Sequence, residues 1–273
     1  MGGFGTEMQP ELSIVTVCRN AERTIADTLR SVANQVGVSG RIEHIVVDGA
    51  STDNTLNVVK DFPTVRWISE PDRGISDAFN KGIRISKGNW ILLLNADDHL
   101  ADDRVLTDIL PHLESTWDVV YGKKIIVDAE SGAALHELGT ENAWRYLHQR
   151  MTLPHPALFM RRDYFDRYGE FSVEFKIAMD YELLLRGYKC IRFHHVPRVV
   201  TRMLTGGISH RAILQRAAEM LKAKKKNAVG RTIPNLLHYA YQCVRPVADR
   251  TLRDIPLIGR VYRRLISSLR RGF

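Results

Sequence analysis

The chain has 273 residues, enough to bury a full core, and its 44% apolar and 26% charged content is that of an ordinary globular protein. Cys18, Cys190 and Cys243 lie far apart, which excludes a disulfide framework and any zinc-type spacing, and no run approaches the roughly 18 apolar residues of a membrane-spanning helix. The net charge of +8 is uneven: residues 205–273 carry 15 of the 39 Lys and Arg but 3 of the 31 Asp and Glu, so a basic tail suited to an anionic partner follows an acidic body.

Residues 1–11 read as a flexible, Gly-rich start. Leu12 to Val17 is the first expected strand, followed by a helix with Ile25, Leu29, Val32 and Ala33 on one face. Ile42 to Val47 is the second strand, ending at Asp48-Gly49-Ala50-Ser51. Ser51 or Thr52 can cap the next helix, Asp53 to Asp61. Val65 to Ser69 is the third strand, closed by Glu70-Pro71-Asp72-Arg73-Gly74. Ile75, Ala78, Phe79 and Ile83 mark a helix running to Ser86. Trp90 to Leu94, apolar throughout, suits a strand buried on both faces. Strand and helix alternate three times into this fourth strand, which argues for a parallel sheet covered by helices.

The fourth strand breaks into Asn95-Ala96-Asp97-Asp98. Two carboxylates at the carboxyl end of a buried strand sit where open α/β sheets hold ligands, and their oxygens suit Mg²⁺ or Mn²⁺. The competing reading is that Asp97 and Asp98 cap a helix over Asp102 to Leu110.

Beyond Asp98 the pattern changes. Strands are expected at Val119 to Gly122, Lys124 to Val127, Ala133 to Glu137, Ala157 to Met160 and within Ile191 to Met203. Helices are expected over residues 141–150 and Ala178 to Gly187. No linker interrupts residues 12–208, which read as one domain. Residues 209–273 read as a helical tail, its first helix (Arg211 to Asn227) ending in Lys222-Ala223-Lys224-Lys225-Lys226. Its later basic amphipathic helices suit either a membrane surface or the body of the protein.

Four motifs occur in order: Ser13-Ile-Val-Thr-Val-Cys-Arg-Asn20, Val46-Val-Asp-Gly-Ala-Ser-Thr-Asp-Asn-Thr55, Asp72-Arg-Gly-Ile-Ser-Asp-Ala-Phe-Asn-Lys-Gly82 and Leu93-Leu-Asn-Ala-Asp-Asp98. Together they resemble the family-2 glycosyltransferases, in the variant of bacterial exopolysaccharide, O-antigen and glycolipid assembly. The resemblance implies an α/β GT-A fold, a Rossmann-like, mostly parallel mixed sheet flanked by helices, here with a basic helical extension. It also implies inverting transfer from a nucleotide-diphosphate sugar to a lipid-linked or polysaccharide hydroxyl, on the inner face of the cell membrane.

Carried onto this sequence, Asp48 holds the base, while Thr16, Arg19, Asn20 and Gly49 frame the same pocket. Arg73, Gly74, Asp77 and Asn80 line the ribose and diphosphate. Asn95-Ala96-Asp97 stands where the family has Asp-x-Asp. Asp97 is then the expected ligand of Mg²⁺ or Mn²⁺, which Asp98 or His155 can join, and Asn95 adds no charge. The family's base is an aspartate opening a helix, and Asp180 occupies that place, with Glu182 as its understudy and Met179 where Glu is common. For His155, between two prolines, a structural role competes. His210 and Arg211, after Gly206-Gly207, are expected to close over the diphosphate. Two other functions stay open at this point, a sugar nucleotidyltransferase and a catalytically silent membrane- or partner-binding module on a transferase scaffold.

Overall fold

The computed structural model describes residues 9–128, 131–204 and 212–229. One mixed sheet carries the strands β1 (Leu12–Cys18), β2 (Ile42–Asp48), β3 (Val65–Ser69), β4 (Trp90–Asn95), β5 (Asp98–Leu100), β6 (Val119–Val127), β7 (Ala134–Leu138), β8 (Leu158–Arg161) and β9 (Phe193–Leu204). Their order is β3-β2-β1-β4-β8-β6-β9-β5, with β7 on β6. The β3-β2-β1-β4 half is parallel, as expected of strands joined by crossover helices. β8 runs antiparallel between β4 and β6 and ends that half.

The strand that is apolar throughout is buried on both faces. Trp90, Leu92 and Leu94 of β4 enter one core with Leu12 and Ile14, while Ile91 and Leu93 enter the other with Val15 and Val17. Helices α1 (Ile25–Ala33) and α2 (Thr55–Lys60) share a cluster with Val46, whereas α3 (Ile75–Ile85) packs on the opposite face. Close approach there depends on Gly82, where an added Cβ would meet Val15 Cγ1 at 2.2 Å.

Several expectations are corrected. Asp97 and Asp98 do not open a helix. Asp98 begins β5, which pairs antiparallel with β9, and the next helix, α4 (Val105–Ile109), starts seven residues later. Asp48, not the start of α2, takes the Ser51 hydroxyl, and Thr52 N–H donates to Asn20 Oδ1 at 2.9 Å. Residues 141–150 hold a short 3₁₀ turn, Ala143–Tyr146, in place of a helix. An additional helix, α5 (Arg162–Tyr168), follows β8, and α6 (Met179–Gly187) matches its expected place.

The first helix of the basic stretch, α7 (Ile213–Lys226), packs on the body. Met220, Ala223 and Val229 join its core, and much of the lysine run is engaged there. Lys226 pairs with Glu182 at 3.4 Å, Lys222 pairs with Glu174 at 3.3 Å, and both lie over the Phe175 ring. The later helices expected within residues 230–273 lie outside the described residues. Among those described, no helix is long and apolar enough to cross a membrane.

Candidate active site

Parallel register brings the motif residues together. Cys18 pairs with Asp48, Val17 with Asn95 and Asp48 with Ser69, so four strand ends lie side by side along one edge. The loops there are cross-linked. Asn20, in the left-handed region at φ 50°, donates its backbone N–H to Ser51 Oγ at 2.8 Å. Gly49 leaves room for Asp72, whose Oδ2 would lie 2.2 Å from a Cβ at that position. Asp72 in turn accepts the N–H of Gly74 at 2.7 Å. Gly74 has φ 114°, a conformation that favours glycine, and sets the start of α3.

Not every motif residue is free for a ligand. Asp48 is fully buried and accepts from Ser51 N at 3.0 Å, Ser69 Oγ at 2.6 Å and the Ser51 hydroxyl, so its carboxylate first of all shapes the pocket. Thr16 Oγ1 is 2.9 Å from His44 Nε2, and both side chains are buried, which leaves the pocket no free hydroxyl there. Arg19 is exposed and makes no hydrogen bond or ion pair among the described residues.

Asp77 accepts from Arg73 N at 3.0 Å and Arg73 Nη2 at 3.2 Å, closing the first turn of α3. These bonds, led by the Arg73 N–H, hold its carboxyl below the usual range despite burial. The expectation that Asn80 faces the donor is corrected. Its amide donates to Phe171 O and accepts from Phe171 N, each at 2.9 Å, and so clamps the segment leading to α6.

At the end of β4, Asp98 is buried with Oδ2 turned to Asn95, while Asp98 Oδ1 and Asn95 Oδ1 are buried without partners. Burial, and then the Asp97 charge, push the Asp98 carboxyl up to about 7. Asp97 is half-buried and makes no hydrogen bond or ion pair among the described residues. A free carboxylate beside two orphaned oxygens is a donor set that fits a hard divalent cation. The described residues hold no group of three His, Cys, Asp or Glu able to hold a metal ion, so such a cation needs phosphate or water as further ligands.

Asp180 stands in the first turn of α6 and lines a small recess with Leu93, Leu158, Met160, Phe171 and His155. The His155 ring lies tilted against Phe79 with centroids 5.5 Å apart, and its Nε2 is buried without a partner among the described residues. Burial lowers its pKa, opposed by the charge of Asp180. Glu182 is corrected as an understudy base. Fully buried, it is bound to Arg186 and Lys226, and it cannot reach an acceptor without breaking both pairs.

The sequence reading missed two cations. Lys124, on β6, contacts Met203 Sδ at 3.7 Å and makes no ion pair among the described residues. Burial lowers its pKa, opposed by the charges of Asp98 and Asp180 together. Arg216, on α7, is likewise lowered by burial against the charge of Asp180. The available signal for Lys124 was a pair of lysines, Lys123 and Lys124, inside the otherwise largely apolar strand Val119–Val127. His210 and Arg211 lie outside the described residues.

Comparison with known proteins fits this geometry. Residues 13–169 match the family described as glycosyl transferase family 2. The chain is 29% identical over 202 residues to a PGL/p-HBAD biosynthesis glycosyltransferase of Mycobacterium bovis, covering 71% of this chain and 74% of that one. It is 28% identical over 204 residues to the chondroitin synthase of Pasteurella multocida, covering 72% of this chain and 21% of that one.

Among solved structures, S. aureus TarS 1–349 in complex with UDP-GlcNAc superposes with a TM-score of 0.64 at 16% identity, over 90% of this chain and 74% of that one. The mannosyltransferase PcManGT from Pyrobaculum calidifontis, in complex with GDP-Man and Mn²⁺, gives 0.64 at 17%, over 96% and 81%. At these identities the likeness is one of fold, the GT-A fold. With more than half of its length matched, the chain belongs to glycosyl transferase family 2.

Proposed function

We propose that this glycosyltransferase moves a sugar from a nucleoside-diphosphate donor to an acceptor hydroxyl with inversion, using Asp180 as base. One observation carries the reading. Asp180 shares its recess with Leu93 of β4, and the charges of Asp98 and Asp180 both act on Lys124, which supports reading the strand end bearing Asp97 and the helix start bearing Asp180 as one site. The UDP-GlcNAc and GDP-Man complexes of the two structural neighbours support a donor at that strand end.

In this mechanism the base and ribose lie along the ends of β1 to β3, between Arg19, Asp48 and the Gly74 turn. Asp180 takes the proton of the acceptor hydroxyl while its oxygen attacks the anomeric carbon. The bond from that carbon to the diphosphate breaks, and the nucleoside diphosphate leaves. Asp97, with Asn95 Oδ1 and Asp98 Oδ1, would hold Mg²⁺ or Mn²⁺. That ion, when bound, supplies Lewis acidity at the diphosphate. Lys124 and Arg216 keep positive charge beside Asp180, and the apolar recess below it limits water.

The acceptor we propose is lipid-linked or a glycan, met at the inner membrane face through residues 230–273. Sedimentation with anionic vesicles, with and without those residues, tests this part; equal sedimentation would remove it. For the chemistry, Asp180→Asn should cut nucleoside diphosphate release to a small residual rate while leaving donor binding unchanged. Wild-type turnover in that variant would remove Asp180 from the mechanism.

A further inference from the structure

The helix that carries Asp180 has no capping side chain at its N-cap, although Asp180 Oδ1 itself accepts the Tyr181 N–H at 2.7 Å within the first turn. The first turn of a helix leaves backbone N–H groups without partners, and the usual remedy is Ser, Thr, Asp or Asn at the N-cap. Here the N-cap is Ala178, which has no side chain for the task. The approach Lys176-Ile177-Ala178 finds its acceptor 41 to 43 residues downstream. Glu219 Oε2, on α7, accepts the N–H of Lys176 at 3.0 Å, of Ile177 at 2.8 Å and of Ala178 at 2.9 Å. Three successive N–H groups converging on one point form an anion-binding nest, and this nest is filled from within the chain.

The filling side chain is itself fixed. Glu219 is 8% exposed, and its other oxygen accepts from Gln215 Nε2 at 3.0 Å. The three N–H groups and Gln215 outweigh burial and hold its carboxyl below the ordinary range, so it stays charged. The element carrying it is anchored on both sides of the nest by the Lys222–Glu174 and Lys226–Glu182 pairs. The approach is also held from the sheet side, where Ser76 Oγ donates to Phe175 O at 2.8 Å and Asn80 clamps Phe171. The residues before Asp180 are thus fixed from two directions, Ser76 also reaching Met179 Sδ at 2.9 Å, while among the described residues Glu219 is the side chain that accepts from the Lys176, Ile177 and Ala178 peptides.

We infer that Glu219 is a positioning residue for Asp180, holding the start of α6 so that the carboxylate of Asp180 meets the acceptor hydroxyl. The inference rests on the reading of Asp180 as the base. Glu219 has no hydrogen bond to Asp180 and acts through the backbone of Lys176, Ile177 and Ala178. Its negative charge also complements the positive end of the α6 dipole. Misplacing a reacting group by about 1 Å costs on the order of 10²-fold in rate, so loss of this anchor acts on turnover, with donor affinity left intact.

The test compares Glu219→Ala, Glu219→Gln and Asp180→Asn, alone and combined, in the full chain. The readouts are folding by circular dichroism, affinity for UDP or GDP with Mn²⁺, and the rate of nucleoside diphosphate release from whichever UDP- or GDP-sugar turns over fastest. Folded Glu219→Ala should lose roughly 10- to 100-fold in kcat with nucleotide affinity unchanged within about twofold. Glu219→Gln keeps an acceptor oxygen without the charge and should lose about 2- to 10-fold.

In the Asp180→Asn background, Glu219→Ala should add no further loss, because the group it positions is already gone. Wild-type kcat in Glu219→Ala would overturn the inference, as would loss of nucleotide affinity in parallel with kcat. An equal fold-loss in the Asp180→Asn background would overturn it too. If Glu219→Ala fails to fold, unchanged kcat in Glu219→Gln decides against it. Wild-type turnover in Asp180→Asn would instead overturn the base assignment, which separates the two failures.

Discussion

Asn95 gives both its backbone N–H, at 3.1 Å, and its side-chain amide, at 2.8 Å, to the same oxygen of Asp98. The two adjacent carboxylates of this turn therefore differ in kind. Asp98 is folded inward as part of the turn's own architecture, whereas Asp97 keeps both oxygens free of hydrogen bonds among the described residues.

That difference separates stability from binding. Asp98→Asn keeps an acceptor for both Asn95 donors and removes a buried carboxyl whose ionisation burial opposes. In EDTA at pH 7.5 it should raise Tm by roughly 3–6 °C. Asp97→Asn should leave Tm within about 1 °C, as surface changes do, but remove Mn²⁺-dependent nucleotide binding. Thermal melts with and without Mn²⁺ check both, and a lower Tm in Asp98→Asn would contradict the assignment.

Lys124 is a half-buried cation on which the charges of Asp98 and Asp180 both act, and it contacts the Met203 thioether at 3.7 Å. Lys124→Met leaves Asp98 and Asp180 without that charge and should lower donor turnover at least about 10-fold. Lys124→Arg should retain more activity than Lys124→Met. Equal turnover in Lys124→Met and wild type would remove Lys124 from the site.

Much of this arrangement was legible from the strand ends. Val65 to Ser69 occurs as expected, and the polar breaks after β1, β2 and β4 meet along one edge because their strands are parallel neighbours. Asp180 at the start of a helix was legible for the same local reasons. What was hidden depends on long-range pairing. The three-residue β5 exists through β9, about 100 residues away, and carries no periodicity of its own. Asn80 and Glu182 stand in polar sequence positions, yet Phe171 in one case and Arg186 with Lys226 in the other claim their side chains. Glu219 lies in a stretch read only for its positive charge, and nothing local to it points to Ala178.

The His44 imidazole predicts an acid-sensitive fold. Burial pushes its pKa down to about 3, against an ordinary value of 6.5, so the folded protein binds fewer protons than the unfolded chain between these values. Its contribution is fully present above about pH 6.5 and is lost as pH falls, by about 2 kcal/mol at pH 5. The half-buried His99 and His155 shift in the same direction, so the comparison must be with a variant. The fall in Tm between pH 7.5 and 5 should be smaller in His44→Gln by roughly 4–8 °C. Equal falls would show that His44 does not stay neutral in the folded state.

In the proposed complex a nucleoside-diphosphate sugar is held at the four strand ends, with Asp97 presenting a divalent ion to it. Thermal-shift titration of the full chain with UDP- and GDP-sugars, with Mn²⁺ or with EDTA, tests this most directly. One nucleotide should raise Tm by several degrees with Mn²⁺, by much less in EDTA, and not at all in Asp97→Asn. No stabilisation by either nucleotide, or equal stabilisation of wild type and Asp97→Asn, would contradict it.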